Sequence, residues 1–367
     1  MAELQTPYYL IDETRLAANM RVMDEVRQES GAKVLLALKC FASWAVFPLM
    51  AQHMDGTTSS SLFEVKLGRR RFGGETHAYS VAYADHEIDE VIANADKIIF
   101  NSISQLQRFE AQSAGIIRGL RLNPGISTSG FDLADPARPF SRLGEWDANK
   151  VEAVIDQISG FMVHNNCENA DFDRFDALLN TVEERFGHLF AKVDWVSLGG
   201  GIHFTGADYP VATFCQRLKA FADKYDVQVY LEPGEAAITK TTTLEVTVLD
   251  RLFNGKELAI VDSSVEAHML DLLIYRESAK LQPNTGPFEA MVCGKSCLAG
   301  DIFGTFRFDT PLEIGDRISI QDAAGYTMVK KNWFNGVKMP AIAVKGRDGQ
   351  TRLVRDFTYD DFEQSLS

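Results

Sequence analysis

Short apolar runs recur along the first two thirds of the chain: Val34 to Phe41, Thr57 to Ser60, His77 to Val81, Lys97 to Phe100, Gly119 to Leu122, Phe161 to His164, Trp195 to Leu198 and Val229 to Glu232. Runs of this length read as strands buried on both faces. Between most of them the apolar spacing changes to three and four, as in Ile88 and Ile92, in Val151, Val154 and Ile158, in Phe172, Phe175 and Leu179, and in Phe214, Leu218 and Phe221. That spacing puts apolar side chains on one face of a helix. Eight strands alternating with helices predict an α/β fold, a (β/α)8 TIM-type barrel whose chemistry lies at the C-terminal ends of its strands.

From Thr241 the period becomes two. Thr241 to Leu249 alternates, and so do segments near Leu258 to Val261, Ala290 to Cys293, Thr305 to Phe308, Ile318 to Ile320 and Ala341 to Val344. This predicts a C-terminal all-β domain. A first strand at Pro7 to Ile11 precedes a helix opened by Asp12, Glu13 and Thr14 and carried by Leu16, Met20, Met23 and Val26. We expect that strand to join the β domain, so that residues 28–240 form the barrel and residues 1–27 and 241–367 the second domain. Ser127 to Gly144, rich in Ser, Gly and Pro, is the least regular stretch.

A chain of 367 residues, 46% hydrophobic, is long enough for both cores. Its 37 basic and 51 acidic residues give a net charge of -14, which disfavours nucleic acid or an anionic membrane as partner and suits a cationic substrate. The first residues lack a basic and then apolar leader, and no apolar run approaches the about 18 residues of a membrane span, so a cytoplasmic protein is expected. The cysteines at 40, 167, 215, 293 and 297 form no CxxC pair, which fits a reducing compartment. No metal-ligand spacing is present, so no metal is expected.

Several strand ends carry chemistry-bearing residues. Lys39 closes the first barrel run; a buried lysine is either paired or an amine of depressed pKa able to form a Schiff base, although a lysine capping a strand is the plainer reading. Gly199, Gly200 and Gly201 after the seventh run let backbone N–H groups approach an anion, or simply make a turn. Glu232, followed by Pro233, Gly234 and Glu235, is a carboxylate held by a rigid turn, for a ligand or for a salt bridge. His164 ends the sixth run and faces the same rim. In the β domain, Cys297 and Asp301 share the Gly-rich segment Cys293 to Asp301, and Tyr326 follows Ala323, Ala324 and Gly325.

In this order along essentially the whole chain, these residues resemble the fold type III pyridoxal phosphate enzymes, the group of alanine racemase and the ornithine and diaminopimelate decarboxylases. The resemblance implies pyridoxal 5'-phosphate as cofactor, with its aldehyde on Lys39, its ring against His164 and its pyridine nitrogen on Glu232. Gly199, Gly200, Gly201 and Gly234 would hold its phosphate, with Tyr326 nearby. Cys297 matches a cysteine that the decarboxylases supply from the neighbouring subunit, which implies a homodimer with shared sites, Cys297 returning a proton to the α-carbon. The runs His164 to Glu168, Glu232 to Glu235 and Cys293 to Cys297 resemble the branch that decarboxylates carboxylated polyamines in polyamine biosynthesis. Glu235 stands where relatives carry arginine, and Asn165, Asn166 and Cys167 replace their Val-Gly-Ser. A glutamate there would repel phosphate, so we expect Glu235 to face a polyamine-type substrate, with Asp271 and Asp301 as further amine partners. Another amino-acid decarboxylase, a racemase, or a non-enzymatic cofactor carrier are the competing readings; the racemase needs a tyrosine base from the β domain, and a carrier is usually a lone barrel.

Overall fold

The computed structural model describes residues 4–367. Met1, Ala2 and Glu3, part of the stretch read for a leader and assigned to the β domain, lie outside the described residues. The chain divides into two compact units, one of Ala18–Lys39 and Phe47–Ala237, the other of Met1–Ala17 (as far as described), Cys40–Val46 and Ile238–Ser367.

The larger unit is a closed barrel. After β1 (Tyr8–Asp12), which belongs to the other unit, come β2 (Lys33–Ala37), β3 (Gly56–Ser59), β4 (Glu75–Tyr79), β5 (Lys97–Phe100), β6 (Ile117–Leu122), β7 (Gly160–Val163), β8 (Trp195–Ser197) and β9 (Gln228–Leu231). Neighbours pair in parallel, and β2 closes on β9 with Lys33 opposite Tyr230 and Val34 opposite Leu231. The barrel interior is filled, as its strand pattern requires. Leu35, Tyr79, Ile99, Met162, Trp195 and Tyr230 form one cluster, and the Trp195 indole fits only because position 160 is glycine, where a Cβ would lie 2.0 Å from the ring. Below them Glu75 gathers the ammonium groups of Lys33 and Lys97 (2.7 Å for Lys97), the His77 ring and the Tyr230 hydroxyl. Outside, the helix Phe172–Phe190 is capped by the Asp171 carboxylate, which accepts from Asp173 N and Arg174 N. It buries Phe175 edge to face against Phe214 of the helix Val211–Tyr225, ring centroids 5.0 Å apart.

The strands stop earlier than the apolar pattern predicts. β2 ends at Ala37, and Leu38, Lys39 and Cys40 form a turn; β7 ends before His164, and β9 before Glu232. Backbone pairing nonetheless continues past the ends: Ala37 N donates to Pro233 O at 3.0 Å, Leu38 N to Thr58 O at 3.1 Å and Glu232 N to Gly199 O at 2.8 Å. The site residues thus sit on loops anchored to the rigid barrel. The pattern at Val151 to Ile158 divides into a short helix, Ala148–Glu152, and a 3-10 turn, Ile155–Gln157.

The second unit is a nine-stranded sheet. To β1 it adds β10 (Thr242–Phe253), β11 (Glu257–Val261), β12 (Lys280–Leu281), β13 (Phe288–Cys293), β14 (Ile302–Phe308), β15 (Arg317–Gln321), β16 (Ala341–Lys345) and β17 (Thr351–Arg355). β1 lies antiparallel to β10 and parallel to β16, which places the N-terminal strand inside the C-terminal sheet. The two-residue β12, and β17 with exposed Arg352 and Leu353, carry too little alternation to be read from sequence. No helix of the described residues is long and apolar enough to cross a membrane.

Candidate active site

At the C-terminal ends of the barrel strands a cleft of about 300 Å³, counting its open mouth, is lined by Lys39, Thr58, Ser59, Arg121, His164 and Glu232, with Ala37, Ser60, Tyr79 and Met162. Lys39, His164 and Glu232, expected together from sequence, therefore meet there. The burial expected of Lys39 does not hold: because β2 stops at Ala37, the lysine projects from a turn and is exposed.

Glu232 is 7% exposed, and its Oε1 accepts from Ser197 Oγ at 2.6 Å. The same hydroxyl accepts from Gly199 N at 3.2 Å, so the last residue of β8 ties the carboxylate to the glycine loop. Gly200 N donates to His164 Nδ1 at 3.2 Å, which leaves Nε2 to carry the ring proton. Burial, and then the charges of Lys39 and Arg121, push the His164 pKa well below the usual histidine range. Arg121, 4% exposed, donates from Nη1 to the Tyr79 hydroxyl at 2.7 Å and from Nη2 to His164 O at 3.3 Å. Tyr79 donates on to Asn101 Oδ1 at 2.9 Å, and burial raises its pKa, so it stays a phenol.

The glycine loop is built by close approach. A Cβ on Gly200 would lie 2.2 Å from Glu232 O, and one on Gly201 2.2 Å from Asn166 O. No side chain fits at these two positions, where the loop packs directly against the backbone of Glu232 and Asn166. Two buried polar atoms of cleft-lining residues, Ser59 Oγ and Arg121 Nε, have no hydrogen-bond partner. Orphaned donors are costly unless a ligand satisfies them. A fixed carboxylate, a neutral imidazole, a primary amine and orphaned donors fit pyridoxal 5'-phosphate. Gly234 is buried immediately before the short helix Glu235–Ile238, which Glu235 opens half-buried.

The remaining candidates belong to the sheet unit. Cys297 is exposed, and its N–H donates to Asn335 Oδ1 at 2.6 Å. Asp301, expected as an amine ligand, is 3% exposed, with Oδ1 accepting from Val265 N at 2.6 Å and Oδ2 from Ser296 N at 3.0 Å. Both of its oxygens thus serve backbone. Asp271 accepts from Lys330 Nζ at 2.5 Å, and that ammonium lies 5.1 Å from the Tyr326 ring centroid. Tyr326 itself adopts φ 51° and donates its N–H to Cys40 O at 2.9 Å.

Sequence reasoning missed Arg121, Tyr79, Ser197 and Asn101. Arg121 was visible as a charge inside an apolar strand, Gly119-Leu120-Arg121-Leu122, which a buried strand tolerates only with partners. The other three are ordinary polar residues at or just beyond strand ends and carried no signal.

No protein-family model matches the chain. It is 66% identical over 364 residues to the carboxynorspermidine/carboxyspermidine decarboxylase of Herminiimonas arsenicoxydans, covering 99% of this chain and 100% of that protein. The carboxyaminopropylagmatine decarboxylase of a Synechocystis species is 34% identical over 375 residues, covering 100% of this chain and 96% of that protein. Among solved structures, the Campylobacter jejuni carboxynorspermidine decarboxylase complexed with norspermidine superposes with a TM-score of 0.91 at 35% identity, covering 99% of this chain and 100% of that one.

Proposed function

The chain belongs to the carboxynorspermidine/carboxyspermidine decarboxylase family, and on that premise we propose that it converts carboxynorspermidine and carboxyspermidine to norspermidine and spermidine with pyridoxal 5'-phosphate as cofactor. Its family members are decarboxylases, and the chain is accordingly a carboxy-lyase. The observation that carries the cofactor assignment is the cleft in which Lys39, His164 and Glu232 meet beside the orphaned Ser59 Oγ and Arg121 Nε.

When bound, the cofactor supplies an electron sink for the carbon that loses CO2. Lys39 Nζ would hold its aldehyde. Glu232, aimed by Ser197, would hold its pyridine nitrogen. His164, kept neutral by burial, would offer the cofactor ring an uncharged neighbour. The glycine loop Gly199 to Gly201, with Gly234, would hold the phosphate through the N–H groups of Gly201 and Gly234, those of Gly199 and Gly200 being held by Ser197 Oγ and His164 Nδ1, with no arginine at position 235 to assist. Glu235 and Asp271 take ammonium groups of the polyamine, and Lys330 must release Asp271 as the substrate arrives. Cys297 serves the partner's cleft in a homodimer and delivers the proton to the α-carbon.

Purified holoprotein tests this directly. With carboxynorspermidine or carboxyspermidine, CO2 and the matching triamine should appear in equal amounts, and Lys39→Ala should give neither. Release of CO2 from diaminopimelate or ornithine but from neither carboxylated triamine would overturn the reading.

A further inference from the structure

Three loop segments of the sheet unit carry Cys297, assigned above to proton delivery, and Asp271, assigned to amine recognition. The first, from residue 263, holds two short helices, Val265–His268 and Leu270–Tyr275, and bears Asp271 on the second; another, residues 293–301, bears Cys297; the third, residues 326–336, bears Tyr326 and Lys330. Short irregular segments place side chains less accurately than strands, and a misplacement of about 1 Å can cost about 100-fold in rate, so such segments need support.

Each pair of these loops is joined by one polar residue reaching the backbone of another loop. Asp301 joins the first to the second through its two carboxylate oxygens, on Val265 N and Ser296 N. Asn332 joins the third to the first: its N–H donates to Ala267 O at 2.8 Å and its Nδ2 to Glu266 O at 3.1 Å. Asn335 joins the third to the second by accepting the Cys297 N–H. The links close a triangle.

We infer that Asp301, Asn332 and Asn335 are positioning residues that lock the Cys297 thiol and the Asp271 carboxylate onto one platform, a role that rests on the proposed function for what those two groups do. The local chemistry supports this. A buried carboxylate shared by two N–H groups makes charge-assisted bonds, and removing it strands both donors. The fit around it is tight, since a Cβ on Gly294 would lie 2.3 Å from both Asp301 oxygens. Asn335 sits at φ 56°, a left-handed conformation that asparagine tolerates better than most residues, so its side chain is presented to Cys297 by the turn itself. Asp301, 3% exposed, is also closed off from an ammonium arriving from solvent.

The test uses Asn335→Gly, which keeps the turn and deletes the acceptor, Asn335→Asp, which keeps the acceptor, Asn332→Ala and Asp301→Asn. All are studied as holoprotein, with cofactor absorbance, kcat and KM for the carboxylated triamine, and the rate of iodoacetamide alkylation at Cys297 followed by peptide mapping. Asn335→Gly should lower kcat at least about tenfold with KM within about threefold, and Asn335→Asp should recover most of that loss. Asn332→Ala should raise KM more than it lowers kcat, and Asp301→Asn should change both. The Cys297 alkylation rate should shift in Asn335→Gly and Asp301→Asn and return with Asn335→Asp. That readout needs no turnover, so it tests the platform even where the substrate assignment fails. Unchanged kinetics and alkylation in these variants, an Asn335→Asp no better than Asn335→Gly, or uniform loss of cofactor and fold in all four would overturn the inference.

Discussion

Gly200 N donates to His164 Nδ1, while the Lys39 and Arg121 charges and burial disfavour a second ring proton; the imidazole is fixed as one neutral tautomer before any ligand arrives. That neutrality arises from the fold, and it explains how a histidine can lie beside an exposed lysine. Lys39 itself was legible in sequence as the last polar residue of an apolar run, but its environment was not, because the run's final residues form a turn outside the strand. Borohydride reduction of the holoprotein followed by peptide mapping should label Lys39; label on another lysine, or none, contradicts the assignment. Glu235 was legible as a departure from a pattern, and Asp271 as an acid after a strand. Asp301 was misleading, since sequence does not reveal that its oxygens are occupied by Val265 and Ser296 N–H groups. Losing one partner of a desolvated ion pair costs about 2 to 5 kcal/mol, so Glu235→Gln and Asp271→Asn should each raise KM for the triamine at least about tenfold while cofactor absorbance stays intact. Loss of cofactor with unchanged KM would place these acids in the scaffold.

Strands are the elements that the sequence announced best, because a fully buried parallel strand has to be apolar on both faces. Most of their ends were read one or two residues late, and the first, at Phe41, four late, since apolar side chains and single backbone hydrogen bonds continue past the regular strand, as at Leu38 and Leu198. The barrel floor was not read as a unit: Glu75, His77 and Lys97 each looked like an isolated polar position in β4 or β5. Burial raises the Glu75 carboxyl, but hydrogen bonds from His77, Lys33 and Lys97 outweigh it and hold the group well below the usual carboxylate range. Burial lowers His77, and in the sheet unit it pushes His268 down to about 3, helped by the Lys331 charge. The signs agree. A depressed histidine favours folding above its unfolded value near 6.5 and loses that contribution as pH falls toward the folded value, while the depressed Glu75 loses its own contribution only below about 4.3. Unfolding free energy measured in urea should therefore fall between pH 6.5 and 5, by about 1.4 kcal/mol per pH unit for each such histidine. His268→Asn should flatten that slope by one proton's worth; an unchanged slope would show that His268 is not the group titrating.

For the molecule as a whole, the two-part organisation was visible in the change of period at Thr241, and the return of the N-terminal strand to the C-terminal sheet is realised in the pairing of β1 with β10 and β16. What no periodicity could show is how loops far apart in sequence meet, as Cys297 and Asn335 do. The proposed homodimer makes the active site a property of two chains. Mixing inactive Lys39→Ala with inactive Cys297→Ala should restore activity to about a quarter of the sites in a random mixture, because a twofold heterodimer has one site with both native groups. No recovery, with heterodimers shown to form, would contradict sharing. A net charge of -14 favours approach of a cationic substrate, and acids at the site would then discriminate between cations by the number and spacing of their ammonium groups. The most direct measurement of the central claim is the ratio of kcat/KM values for carboxynorspermidine, carboxyspermidine, carboxyaminopropylagmatine, diaminopimelate and ornithine on one holoprotein preparation. The account predicts that carboxynorspermidine or carboxyspermidine leads, by at least about 100-fold over diaminopimelate and ornithine; equal values across the panel, or diaminopimelate or ornithine in the lead, would contradict it.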